Sequence, residues 1–221
     1  MTAHHPFRLL GVALEARASG ALWHEESRLL VVSDLHLGRS ERLARRGGAL
    51  LPPYETRETL ARLDGEIEAT RPARVICLGD SFDDLAAAGS LDEAERLWLA
   101  RLMAGRDWIW IEGNHDAGPV EVGGAHRAEV SLGPLVFRHI PQPGAVGEVA
   151  GHFHPKVVLA GRSHRAFLID GARVILPAFG AYTGGMRPDD PALAGLMAPG
   201  AMAVLCGARA IPVPLAPLLR R

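Results

Sequence analysis

Three short apolar runs, each ending in a polar motif, constrain this chain more than any other feature. LLVVSD (29–34), RVICLGD (74–80) and WIWIEGN (108–114) are rich in β-formers and deliver Asp34, Asp80 and Asn114 at their C-terminal ends. Helical patterns lie between them. Thr56 to Thr70 puts Leu60, Leu63 and Ile67 on one face. Leu91 to Met103 is expected to do the same with Leu91, Ala94, Leu97, Trp98 and Met103, with Ser90 as its cap. From about His126 the rhythm changes to short strands and tight turns, including a hairpin predicted at Asp170-Gly171. A β-α-β-α-β first half and a mostly antiparallel second half predict an α/β fold of two packed sheets with helices outside, as one domain over residues 1–221.

Composition excludes little. The formal net charge is −1, so a nucleic-acid surface would have to come from local clustering. Cys77 and Cys206 sit far apart in apolar runs and read as free core thiols of a reducing compartment. Glu15 and Arg17 interrupt the N-terminal apolar residues, which argues against a secretory signal. The uncharged stretch Pro191 to Ala208 is broken by Pro199, Gly195 and Gly200, so no membrane segment is expected and the cytoplasm is the expected location.

The polar motifs follow in a fixed order: Asp34-Leu35-His36, Gly79-Asp80-Ser81-Phe82-Asp83, Gly113-Asn114-His115-Asp116, His139, then Gly151-His152-Phe153-His154. Alternation along a strand would bring Asp34 and His36 to one face, and likewise His152 and His154. Glycines 79, 113 and 151 are expected to let the backbone turn at the site edge. Each motif alone has a plain structural explanation; five in this order point to a metal site. Mixed carboxylate, imidazole and amide ligands suit Mn²⁺, Fe or Zn²⁺ better than Mg²⁺ or Ca²⁺.

The order DxH, GDxxD, GNHD, H, GHxH resembles the calcineurin-like metallophosphoesterase superfamily. That resemblance implies a four-layer αββα sandwich and two divalent metal ions. One ion would be held by Asp34, His36, Asp80 and His154, the other by Asp80, Asn114, His139 and His152, with Asp80 as the bridge. His115 would sit over the phosphate as general acid, and Asp116 would orient its ring. Asp83 receives no ligand role.

A narrower resemblance runs through SDLHLGRSERLARRGGALLP (33–52), RHIPQP (138–143), GHFHP (151–155) and LPAFGAYTGG (176–185). These segments look like the bacterial ligase-associated DNA-damage-response endonucleases. The implication is a Mn²⁺-dependent phosphodiesterase acting on DNA, near a ligase and a helicase of a repair pathway. Arg165-Ala166-Phe167 departs from the Pro-Cys-Phe expected there.

Substrate contacts remain open at this level. Arg39, Arg42 and Arg46 fall at helical spacing after the DxH loop and either follow a phosphate backbone or form a solvated face. Arg162, His164 and Arg165 offer a second such choice. Rival readings are an enzyme of the same superfamily acting on a nucleotide or other small phosphodiester, and a non-catalytic scaffold of the same fold. The scaffold would be expected to have lost ligands or the acid, and all are present.

Overall fold

The runs that carry the first motifs become the parallel centre of one sheet. The computed structural model describes residues 3–48, 52–118 and 122–218; residues 49–51, within the segment 33–52, lie outside them. The first sheet has seven strands in sequence order: β1 (His4–Leu9), β2 (Val12–Arg17), β3 (Leu22–His24), β4 (Leu29–Val32), β5 (Arg74–Leu78), β6 (Asp107–Ile111) and β7 (Ala125–Arg127). β1 to β4 pair antiparallel, whereas β4 to β7 are parallel. The crossovers hold α1 (Arg39–Arg45), α2 (Glu55–Thr70), α3 (Leu85–Ser90) and α4 (Glu93–Met103).

Both faces of the central strands are covered, which explains their continuous apolar sequence. Leu30, Val32, Val75, Cys77, Trp108 and Trp110 pack outward beneath Leu60, Leu63 and Ile67 of α2 and Leu99 and Leu102 of α4. Their alternating neighbours Val31, Ile76, Leu78, Ile109 and Ile111 face the second sheet and meet Phe137, Val149, Phe167, Val174 and Val204.

The second sheet comprises β8 (Glu129–Leu132), β9 (Leu135–Arg138), β10 (Glu148–Ala150), β12 (Arg162–Ile169), β13 (Arg173–Ile175), β14 (Met202–Leu205) and β15 (Ile211–Pro214), with β11 (Lys156–Leu159) paired to β12. It is mostly antiparallel, but β9, β10 and β13 run parallel. Among the described residues its outer face carries α5 (Pro191–Ala194), a short 3-10 helix (Ala216–Leu218) and loops. The architecture is α/β, two mixed sheets with few flanking helices, and agrees with the expected sandwich.

Two local expectations change. Asp92, not Ser90, caps α4: its carboxylate accepts from Glu95 N at 2.8 Å while Glu95 returns a bond to Asp92 N at 3.2 Å. The face this helix buries also differs from the expected one, although Trp98 and Met103 still pack against the core. Leu97 is 64% exposed and Ala94 is exposed, while Leu99 and Leu102 are buried. The hairpin joining β12 to β13 forms one residue later than predicted, closed by Asp170 N to Arg173 O at 3.0 Å around Gly171-Ala172.

Candidate metal centre

Six parallel strand ends converge on one edge of the sandwich. The loops after β4, β5 and β6 supply residues 34–36, 80–83 and 113–116; those after β9, β10 and β13 supply His139, residues 151–154 and residues 176–183. Main-chain bonds join these loops across the two sheets: Phe179 N donates to Ser33 O at 2.7 Å and Gly180 N to Asp34 O at 3.1 Å. The site is therefore built where the sheets meet, as ligand sites are in open α/β folds.

Strand alternation does not aim the ligands. β4 ends at Val32, and Asp34, His36, Asp80, His152 and His154 all have left-handed backbones, with φ of 54°, 48°, 46°, 71° and 48°. Such conformations cost about 1–3 kcal/mol each and persist where their surroundings over-determine them. Here the ladder continues past the strands: Asp34 N to Gly79 O at 3.2 Å, His36 N to Asp80 O at 2.9 Å and Leu37 N to Ser81 O at 2.9 Å. Of the three expected turning glycines only Gly79 has positive φ, 71°. Gly113 and Gly151 serve close approach, since a Cβ there would lie 2.1 Å from Asp80 N and 1.8 Å from Ser33 Oγ.

The candidate ligands form two groups, and a third cluster of His36, Asp83 and His115 shares His36 with the first. Ligand atoms of Asp34, His36 and His154 lie within 4.8 Å of one another, and so do those of Asp80, His139 and His152. His36 Nε2 is 3.4 Å from His154 Nε2, and His152 Nδ1 is 3.2 Å from His139 Nε2. Two nitrogens each ~2.1 Å from one ion would be about 3.0–3.4 Å apart, so these spacings fit a shared cation. Asn114 Oδ1 joins the second group, 3.0 Å from His139 Nε2. Asp34 is fully buried, and its Oδ1 has no hydrogen-bond partner although His154 Nε2 is 3.0 Å away. An orphan buried carboxylate oxygen facing two imidazoles fits a metal ligand.

Electrostatics reinforce the grouping. Burial alone would raise Asp34 and Asp80, but the histidines around them hold both carboxylates low, Asp80 at about 2. Burial would lower His139, yet the bonded Asp80 and nearby Asp34 push it up to about 9. His152 is lowered, first by burial and then by charge on His139. The two carboxylates that favour a cationic His139 would equally favour a divalent cation beside it.

Residues outside the ligand set fix its geometry. His36 Nδ1 meets Asp83 Oδ1 at 2.8 Å, and His139 Nδ1 meets the Leu78 carbonyl at 2.8 Å, so each ring presents Nε2 to its group. Ser33 Oγ donates to Asp34 Oδ2 at 2.5 Å. Asp83, unassigned from the sequence, is fully buried and also accepts from Arg39 at 3.2 Å and Arg42 at 2.7 Å. Its place three residues after Asp80 was the available signal.

The expected role of Asp116 is corrected. Its carboxylate accepts from the main-chain N–H groups of Asp80, Ser81, Phe82 and Gly113 at 2.8–3.1 Å, tying two motif loops together. His115 is oriented instead by the Asp83 carbonyl, 2.9 Å from its Nδ1, and stands edge-on to His36 at 5.2 Å. Burial, and then the charge of Asp80, raise Asp116 against the lowering effect of those N–H groups. Arg39 and Arg42 reach the site edge but spend charge on Asp83, while Arg45 pairs with Asp84. Arg165 does not face a phosphate: it is fastened to the carbonyls of Ser19 and Ala178, holding the 176–185 loop.

Fold and donor set together define a metal-dependent phosphoesterase, a class that uses divalent metal ions. The profile of the calcineurin-like phosphoesterase family matches residues 27–170, and the chain belongs to that family. Among solved structures it is similar to the Pseudomonas putida nuclease MPE, at 31% identity and a TM-score of 0.76. That likeness covers 95% of this chain and 100% of the other. No curated protein matches the chain. Among the described residues, no helix is long and apolar enough to cross a membrane.

Proposed function

We propose that this chain is a nuclease, hydrolysing phosphodiesters of DNA with two divalent cations. The observation that carries the reading is the pair of adjacent ligand groups with His115 beside them. The likeness to a nuclease supports nucleic acid as substrate. Asp34, His36 and His154 would hold one ion; Asn114, His139 and His152 would hold the other, with Asp80 bridging. Mn²⁺ is the ion proposed, with Fe and Zn²⁺ as alternatives. When bound, the ions would activate water and neutralise phosphate charge.

The chain's own groups supply the rest. His115, held at Nδ1 by the Asp83 carbonyl, would carry a proton on Nε2 to the departing oxygen. Asp116 would act through the loop, keeping Asp80 and His115 in register. Arg39 and Arg42, 26% and 19% exposed, would border the phosphate chain with donors not taken by Asp83. A repair pathway containing a ligase and a helicase, in the cytoplasm, is the setting implied by LPAFGAYTGG and its companion segments.

The test uses metal-stripped protein reconstituted separately with Mn²⁺, Zn²⁺ and Mg²⁺, assayed on bis-p-nitrophenyl phosphate and on single-stranded and nicked DNA. Metal-dependent cleavage of both substrates, lost in Asp80→Asn, is expected. Cleavage of the small diester without DNA would favour the small-phosphodiester reading. Failure on every substrate would overturn the proposal.

A further inference from the structure

A groove of about 820 Å³ opens beside the candidate metal centre, and both of its nearer walls are residues of that centre, His152 and His154. Between them Phe153 lies half-buried, its ring edge-on to His152 at 5.0 Å and 71°. Met186 also lines the groove, and both side chains rest in part against the apolar cluster on the outer face of the second sheet. The two are fixed to each other through the backbone: Met186 N donates to Phe153 O at 3.1 Å, and Lys156 N donates to Met186 O at 2.8 Å. Gly185 makes that approach possible, because a Cβ there would lie 2.5 Å from the His154 carbonyl.

Charge separates this groove from the basic side of the site. Arg187 is paired with Asp189 through two bonds of 2.9 Å, and Asp190 also lines the groove, so its ionised side chains do not favour a phosphate. The arginines Arg39 and Arg42 do not line the groove and are instead paired with Asp83, the partner of His36. A nucleotide with its phosphate on the metals would have its anionic backbone drawn toward the arginines. Its flat uncharged part would be directed to Phe153 and Met186. Aromatic rings take bases by stacking, and a thioether packs well against aromatic edges.

Resting on the nuclease reading, we propose that this groove is a nucleobase subsite. The base next to the scissile phosphate stacks on Phe153 and is flanked by Met186. The subsite accepts any base, since every base offers a π-face, while Asp189 is engaged by Arg187 and Asp190 by Ala192 N.

The experiment compares Mn²⁺-loaded wild type, Phe153→Ala, Phe153→Tyr and Met186→Ala on oligothymidylate and on an abasic strand of equal length. Bis-p-nitrophenyl phosphate and bound-Mn²⁺ measurements serve as controls. The wild type should prefer the base-bearing strand in kcat/KM. Phe153→Ala should reduce that preference by about 5- to 150-fold, and Phe153→Tyr should restore it. Met186→Ala should reduce it less. A wild type indifferent to the bases would overturn the subsite and leave the nuclease reading standing. Equal losses on both strands in Phe153→Ala would overturn it too, as damage to the histidine loop. A wild type that hydrolyses the small diester but neither strand would overturn the nuclease reading itself.

Discussion

His36 turns Nδ1 to the Asp83 carboxylate at 2.8 Å and Nε2 to His154 at 3.4 Å, so a fully buried acid outside the expected ligand set decides which nitrogen faces the cation position. Losing such a partner typically costs about 10–100-fold in metal affinity. Asp83→Asn keeps the shape but weakens the hold on the imidazole and on Arg39 and Arg42. Mn²⁺ titration of the variant should show a loss in that range, with circular dichroism unchanged. Unaltered affinity would show that the ring is oriented by its packing alone.

Most of the candidate site's composition is legible because its residues sit in contiguous motifs. Asp34, His36, Asp80, Asn114, His139, His152 and His154 come together on one edge, as their strand-end positions implied. The means was not legible. Five of these residues are aimed by left-handed backbone beyond the strands, a conformation stabilised by cross-loop bonds that no local pattern encodes. The role of Asp116 is hidden for a similar reason, since its partners are main-chain N–H groups of residues 34 to 36 positions away as well as nearby Gly113. The helix over Leu91 to Met103 is legible from its period, but which apolar residues it buries is not: Leu99 and Leu102 pack inward while Leu97 is exposed.

Gly151 tests how closely the two sheets must meet. A Cβ at this position would lie 1.8 Å from Ser33 Oγ and 2.6 Å from Asp34 Oδ2. Gly151→Ala should cost about 1–3 kcal/mol as overpacking, or about 2–4 °C of Tm per kcal/mol in a chain of this size. Gly171→Ala, where nothing lies within 4 Å of the added carbon, should stay within about 0.5 kcal/mol of the parent. Equal melting temperatures for the two variants would contradict the close approach.

His139 gives the metal-free protein a specific pH dependence. Its value is raised from 6.5 to about 9 in the fold, so the folded state binds this proton more tightly than the unfolded state. The resulting stability is fully present below about pH 6.5 and is lost as pH rises through about 9. His152, which is lowered, acts in the opposite sense and below 6.5, so the two windows do not overlap. Melting temperature of the stripped protein should fall between pH 6.5 and 9, and His139→Asn should flatten that fall. A cation must displace the same proton, so apparent Mn²⁺ affinity should rise across this window. A melting curve independent of pH there would remove the coupling of His139 to Asp80 and Asp34.

His115 is distinguished from the ligand histidines by its position and by the bond at Nδ1, and its substitution should separate chemistry from metal binding. If its Nε2 delivers a proton to the departing oxygen, the need for it grows with the basicity of that oxygen. His115→Ala should therefore lose about 10²–10⁴-fold on a diester with an alkoxide leaving group. It should lose far less on bis-p-nitrophenyl phosphate, whose leaving group departs without a proton. Metal held by the groups of Asp34 and of Asp80 should be unchanged, because His115 clusters only with His36 and Asp83 and its Nδ1 is taken by the Asp83 carbonyl. Equal losses on both diesters would assign His115 to positioning the phosphate, and loss of metal together with activity would make it a ligand.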